Sequence, residues 1–272
     1  MNFKNSSLPS NNPFSGRIDE LEKYYKPIET IDEWNNRIFW ISAILSIVVF
    51  FKTQIPWSVL QDLPETLFIA TAIIHLVLSV YVRFYLFPVA EHKRRRQLLS
   101  DSFAVPLITE TTQKYYNNDI TPSVARLGAN VLENTLFAKN LTDKMAVKER
   151  LKVFSYFLVW ILALVWRSTN LGLLVIVTQT LFSSEIIENW IRLELLYRET
   201  ENIYNELYNK FLHKTNLSSS DGIASVLDAF ATYESIKSMT GVRQLRSIFV
   251  TVNPELSKEW DKIREKLEID CR

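Results

Sequence analysis

Four consecutive cations, Lys93-Arg94-Arg95-Arg96, follow His92 near the first third of the chain. Groups packed this densely suit phosphate, because Arg offers a planar two-donor edge and Lys a point charge. Repeated around an oligomer axis, the run would form a phosphate-binding crown. The same cations also serve as a topology signal and as contacts for lipid headgroups, which needs no further ligand. A second constellation is Lys114-Tyr115-Tyr116-Asn117-Asn118-Asp119, with Arg126 shortly after it. Adjacent rings beside amides and cations can stack on a base and hydrogen-bond its edge. A helix end with a tyrosine-packed turn uses the same residues, so both possibilities stand. Arg243 and Arg246 are a weaker third candidate that surface charge explains adequately.

Polar groups inside apolar segments form a third class, because each is costly to place in lipid. Ser42 and Ser46 share a face of one such segment, where ordinary helix packing accounts for them. His75 and Arg83 lie in the next, and Arg83 is close enough to its end to snorkel. From Thr178 to Glu185 six of eight positions are polar. Such a stretch must face protein or water, which makes Thr178, Gln179, Ser183 and Glu185 candidates for lining a pore. Chemistry of other kinds has little to draw on. The three histidines are scattered, and no HExxH, GxSxG, P-loop or GxGxxG pattern occurs. The expectation is a protein that is not an enzyme and uses no metal or cofactor.

Four apolar segments must position these residues: 37–51, 67–87, 153–166 and 171–182. A span needs ~20 apolar residues, and only the second meets that comfortably. The others must borrow flanking residues or thin the bilayer. Short connections, Lys52–Thr66 and Arg167–Asn170, pair them into two transmembrane hairpins. Basic residues gather at Lys23, Lys26 and Arg37, at 93–96, at Lys144 to Lys152, and at Arg192 and Arg198. The hairpin tips carry only Lys52 and Arg167. By the positive-inside rule, both termini and the middle region are then cytoplasmic, in a multi-pass inner-membrane protein.

The remainder is patterned for helices. Val124, Leu127, Val131, Leu132 and Leu136 recur close to a 3.6 period. Ile186, Ile187, Ile191, Leu195, Tyr204, Leu207, Tyr208 and Phe211 extend one long helix to about Thr215, with Glu188–Arg192 and Glu194–Arg198 at stabilising spacing. Another helix is expected over Ile223–Ile236. A last one opens at Asn253-Pro254 and buries Trp260, Ile263 and Leu267. The fold class is an all-α membrane protein with a helical cytoplasmic domain. Its divisions are an N-terminal segment (1–36), a first hairpin (37–87), a middle region (88–152), a second hairpin (153–185) and a C-terminal region (186–272).

The totals agree. Of 272 residues, 31 are Lys or Arg and 30 Asp or Glu, so net charge is +1 and electrostatic function must be local. A mean hydropathy of 0.00 averages two opposite populations. Only five glycines occur, and Pro56, Pro64, Pro88, Pro106, Pro122 and Pro254 read as punctuation between helices. One cysteine, Cys271, allows no intramolecular disulfide, and residues 1–15 lack the apolar core of a signal peptide.

Two short hairpins, the basic post-hairpin run, Asp101-Ser102-Phe103, Tyr115-Tyr116-Asn117-Asn118 and a helical tail together resemble the SMODS-associating four-transmembrane effectors. These are proposed pore-forming proteins of bacterial anti-phage systems, encoded beside nucleotidyltransferases; the Hailong-type pairing is one variant. The resemblance implies a homo-oligomeric channel, expected to be a homotetramer, controlled by a nucleotide or oligonucleotide signal from a cognate nucleotidyltransferase. Its action would be membrane depolarisation in antiviral defence. A membrane scaffold whose cytoplasmic helices recruit a partner protein is the alternative. A solute transporter is disfavoured, since no inverted repeat or glycine-broken helix is visible.

Overall fold

The computed structural model describes residues 18–50, 63–110, 112–113, 115–165, 185–243 and 246–271. The chain is mostly helical. Helix α1 spans Glu22–Phe50, α2 Leu63–Tyr81, α3 Phe87–Phe103 and α4 Val124–Val165. Then come α5 (Glu185–Leu212), α6 (Ser220–Thr240), α7 (Arg246–Lys266) and a terminal 3-10 turn, Ile269–Cys271. Two short strands, β1 (Ile18–Asp19) and β2 (Thr112–Gln113), pair antiparallel.

Between α2 and α3 the chain does not break. Val82–Leu86 forms a π-helical turn, in which the Phe87 N–H donates to the Val82 carbonyl. Pro88 is the cause at hand. It has no N–H to offer the Phe84 carbonyl, and its ring crowds that group, so a wider turn relieves both problems. Pro88 was expected to mark a boundary after residue 87; it lies instead inside one helical run of 41 residues, Leu63–Phe103. That run ends at Ala104, whose left-handed conformation (φ 51°) returns its N–H to the Ser100 carbonyl. Pro254 is likewise within α7, which begins at Arg246 rather than at the expected Asn253 cap.

Leu63–Phe103 is long and apolar enough to cross a membrane, and it is the one such helix among the described residues. None of its α2 residues is buried within the chain. Leu76 (61 %) and Val77 (59 %) show how far its apolar side chains face outward. α1 runs antiparallel to it: Asn35 Nδ2 donates to Ser79 Oγ at 2.8 Å, and the Phe39 ring meets His75 one turn further along. Trp40, Ile41 and Ile44 of α1 are exposed, as are Leu151, Phe154, Leu158, Leu162 and Val165 at the end of α4. The fourth apolar segment, the second hairpin tip and residues 52–62 of the first tip lie outside the described residues.

The other end of the molecule is a packed helical head. The first half of α4 is its spine, entered through Ser123, whose hydroxyl accepts the Arg126 N–H at 3.3 Å. Leu127, Val131, Leu132 and Leu136 are fully buried, as the period anticipated. They pack with Leu98 of α3, Leu207 and Phe211 of α5, Val226 of α6 and Trp260 of α7. α5 lies antiparallel along α4. Lys139 stands 3.5 Å over the Tyr204 ring, and Arg150 Nη2 donates to Glu194 at 3.0 Å. Glu194 therefore pairs with Arg150 rather than with the expected Arg198, while Glu188 does pair with Arg192. Ile191, expected in the buried stripe, is exposed; Leu193 and Leu196 take its place.

α6 begins where Ser219 accepts the Gly222 N–H at 3.2 Å. Only glycine fits at 222, because a Cβ there would stand 2.3 Å from the Asn216 carbonyl oxygen. The helix ends in Gly241 (φ 58°), the left-handed cap that glycine adopts freely.

Candidate functional site

The basic run lies on α3, where the helix leaves its apolar part and enters the head. A helix points successive residues about 100° apart, so four adjacent cations look in four directions. Lys93 Nζ donates to both Glu110 oxygens at 3.2 Å. Arg94 forms a two-pronged pair with Asp19, Nη2–Oδ2 at 2.9 Å and Nη1–Oδ1 at 3.3 Å. Its guanidinium also lies 4.6 Å from the Tyr115 ring and 5.5 Å from that of Tyr25. Arg95 reaches the other way, to Glu234 of α6 at 3.0 Å. Arg96 is exposed, without an ion-pair partner among the described residues. His92 is exposed beside it.

These pairs extend into a relay of alternating charge. Tyr25 Oη donates to Glu91 Oε1 at 3.0 Å. Glu91 Oε2 stands 2.7 Å from Lys237 Nζ, which in turn lies 3.7 Å from Glu234. Burial opposes the charge on Lys237, yet the adjacent Glu91 holds its pKa well above the usual lysine value. α3 and α6 are thus joined by ions inside the protein, and α1 is tied to them by the neutral Tyr25 hydroxyl, so loss of one charged partner strands the other. Glu110 is the hub on the opposite side. It receives the Tyr24 hydroxyl, Lys93 and, at 3.5 Å, Lys23. The Tyr24 hydrogen bond does most to bring its pKa down to about 2, with Lys93 assisting against burial.

The second constellation divides. Tyr116 packs against the head core, its hydroxyl accepting from Asn134 Nδ2 at 3.1 Å, and burial raises its pKa well above the tyrosine norm. Tyr115 is half-buried, its ring edge-on to Tyr116 at 4.9 Å. Asn117 acts through its backbone: its N–H donates to Glu133, and its carbonyl accepts from Trp260 Nε1 and Arg264, each at 3.1 Å. Arg126 pairs with Asp101 at 3.1 Å and donates to the Ile120 carbonyl at 3.3 Å. Asn130, fully buried, donates to Asp101 and Ser102 at 3.0 Å and accepts from Asn118 at 2.7 Å. Asp101-Ser102 and Tyr116-Asn118 therefore meet in one network that pins the loop before α4 to its first turns.

No family model, curated protein or solved structure matches this chain. The site rests on its own geometry.

That geometry sets Arg94 against Tyr115, holds Lys93 on Glu110, turns Arg95 toward α6 and leaves Arg96 in solvent. Arg126 belongs to the separate Asp101 network. Lys114, Thr178, Gln179 and Ser183 lie outside the described residues, and Glu185 is described only as the first residue of α5. Arg83 reaches Glu188 at 3.5 Å, linking the run after α2 to the start of α5. Arg243 pairs with Asp32 of α1. Sequence reasoning missed the carboxylates: Asp19, Glu110 and Glu234 lie in other segments, and Glu91, two positions before Lys93, turns to Lys237 of α6. The available hint was bulk neutrality: four adjacent cations in a chain of net charge +1 require acids from elsewhere. Among the described residues no cluster of three or more His, Cys, Asp or Glu could hold a metal ion.

Proposed function

We propose that the chain is one subunit of a homo-oligomeric membrane channel whose cytoplasmic head responds to a nucleotide or oligonucleotide signal. In this reading two hairpins give four spans, with both termini and the head on the cytoplasmic face of the inner membrane. Thr178, Gln179, Ser183 and Glu185 line the path between tetrameric subunits. Lys93, Arg94 and Arg96 meet phosphate, and Tyr115 offers a stacking face. The resemblance to the SMODS-associating four-transmembrane effectors of anti-phage defence supports the same role, with depolarisation as the output.

One observation carries the reading. Two helices, Leu63–Phe103 and Val124–Val165, run unbroken from outward-facing apolar residues into the head core. At 41 and 42 residues each is roughly 60 Å long, about twice the hydrocarbon thickness. A helix is stiff on this scale, so a shift of α3 or of the α4 spine in the head moves the apolar end as well. The ionic relay at the base of α3 is where such a shift would begin.

The test is ion flux from liposomes holding the full-length protein, with and without single-stranded oligonucleotide on the head side. The signal should change potassium flux, in either direction, and Thr178→Leu with Gln179→Leu should abolish flux while leaving oligomer size unchanged. Liposomes that stay tight under every condition would remove the channel. A scaffold reading has one observation in its favour. The outer face of α6 presents Ala224, Leu227, Ala231, Ser235 and Met239 to solvent around one charge, Asp228, as a helix-docking face does. Tight liposomes and a partner protein lost on Leu227→Glu would favour it.

A further inference from the structure

Asp19 and Glu110 arrive at the basic run from opposite directions in sequence, Asp19 within β1 and Glu110 two residues before its partner β2. Ile18 pairs with Gln113 and Asp19 with Thr112, so the ribbon consists of two residues on each strand. A ladder this short has almost no stability of its own. Its main ties to α3 are ionic, Asp19 on Arg94 and Glu110 on Lys93, beside one neutral hydrogen bond from Gln97 to Thr112. The Asp19–Arg94 pair is not sealed, since the two side chains keep 19 % and 16 % of their exposure. Its geometry is also the one a phosphate would adopt, two oxygens against two guanidinium nitrogens. Release would have a consequence. α1 starts three residues after Asp19, and Tyr24, Tyr25 and Ile28 at its beginning pack on Val82, Phe87 and Ala90 around the π turn.

We propose that the ribbon is a displaceable acidic clamp: Asp19 and Glu110 occupy on Arg94 and Lys93 the positions that incoming phosphates take, so that phosphate binding frees the cytoplasmic end of α1 from α3. The clamp regulates the site assigned above and rests on that assignment. Carboxylate and phosphate exclude one another at Arg94, because the Tyr25 and Tyr115 rings flank the guanidinium and leave its forked edge as the open approach. Competition of this kind lowers apparent affinity by the fraction of time the clamp is open. α1 is the element that would move, and it is packed antiparallel on the span that begins at Leu63.

The experiment compares full-length wild type with Asp19→Asn and with Asp19→Asn/Glu110→Gln in detergent. The probes are a fluorescent single-stranded oligonucleotide bearing a 5′-phosphate and inorganic tripolyphosphate, with hydrogen exchange of the 18–28 segment as the structural readout. In wild type that segment should be protected and should lose protection when the oligonucleotide binds. In the double variant it should exchange freely without ligand, and the oligonucleotide should bind about tenfold more tightly. Asp19→Asn should fall between, and its melting transition shows that the head remains folded. Oligonucleotide that binds all three proteins equally, leaving 18–28 protected, would overturn the clamp while the nucleotide assignment stands. If no oligonucleotide binds but tripolyphosphate binds the double variant better than wild type, the clamp stands and the nucleotide assignment falls. Failure of both anions on the opened variant overturns the clamp.

Discussion

At the scale of the residue, the four-cation run is four different environments rather than one patch. Arg94 is mostly buried and doubly bonded to Asp19, whereas Arg96 is exposed and unpartnered among the described residues. Replacement by Gln should therefore separate them. Arg94→Gln strands Asp19 and should cost about 1–3 kcal/mol, between the values typical of exposed and of buried pairs. Arg96→Gln should stay within ~0.5 kcal/mol in stability. If Arg96 meets phosphate, the same change lowers the salt slope of oligonucleotide affinity by about one. Thermal melts beside salt titrations decide both points; equal destabilisation by the two changes would refute the assigned environments. Glu110 supplies a pH signature. Its pKa in the folded protein, about 2, lies below the ordinary carboxylate value of 4.5. The stabilisation it provides is thus complete above pH ~4.5 and is lost as pH falls toward 2. Hydrogen exchange around the ribbon should accelerate across that window in wild type, and Glu110→Gln should flatten the dependence.

At the scale of the element, backbone chemistry decides more than hydrophobic pattern does. Gly222→Ala places a methyl group against the Asn216 carbonyl, a rigid neighbour, and the turn before α6 must move. A loss of about 2–3 kcal/mol is expected, since overpacking against backbone cannot be relieved by a rotamer change. Urea melts that show no loss would mean that the turn yields freely. The helices of the head were legible in the sequence because their buried faces repeat at 3.6, as Leu127, Leu136, Leu207 and Trp260 do. What escaped was continuity. Pro88 looks like a stop and Pro254 like a start, yet a π turn absorbs the first and α7 already runs from Arg246 through the second. The apolar segments likewise read as separate blocks, although α4 carries one of them and the head's spine as a single helix. The site was only half legible. A run of cations is visible locally, but Asp19 lies 75 positions from Arg94 and Glu234 lies 139 from Arg95, distances no periodic pattern encodes.

At the scale of the whole molecule, the open question is how an apolar end with so little internal burial meets a head with so much. Lipid is one answer and neighbouring subunits the other, and the proposed channel needs both. The expected topology puts Ser58 and Ser168 outside and Ser219 at the head, where it caps α6. In a Cys271→Ser background, single cysteines at the first two positions should label from outside intact cells. A cysteine at Ser219 should label only after permeabilisation. External labelling at Ser219 would mean an inverted orientation, because Asp19, Arg94, Arg95 and Glu234 pack in one head, and would place that head on the wrong side for a cytoplasmic signal. Native mass measured in mild detergent completes the case. In the proposed four-span arrangement, one chain would not hide the polar stretch 178–185 from lipid while enclosing water, so several copies would share that task. A tetramer is expected, and it should persist in Arg94→Gln, because in the proposed reading the site at the base of α3 controls the assembly rather than builds it. A strictly monomeric wild type would leave those polar groups facing lipid and would remove the pore.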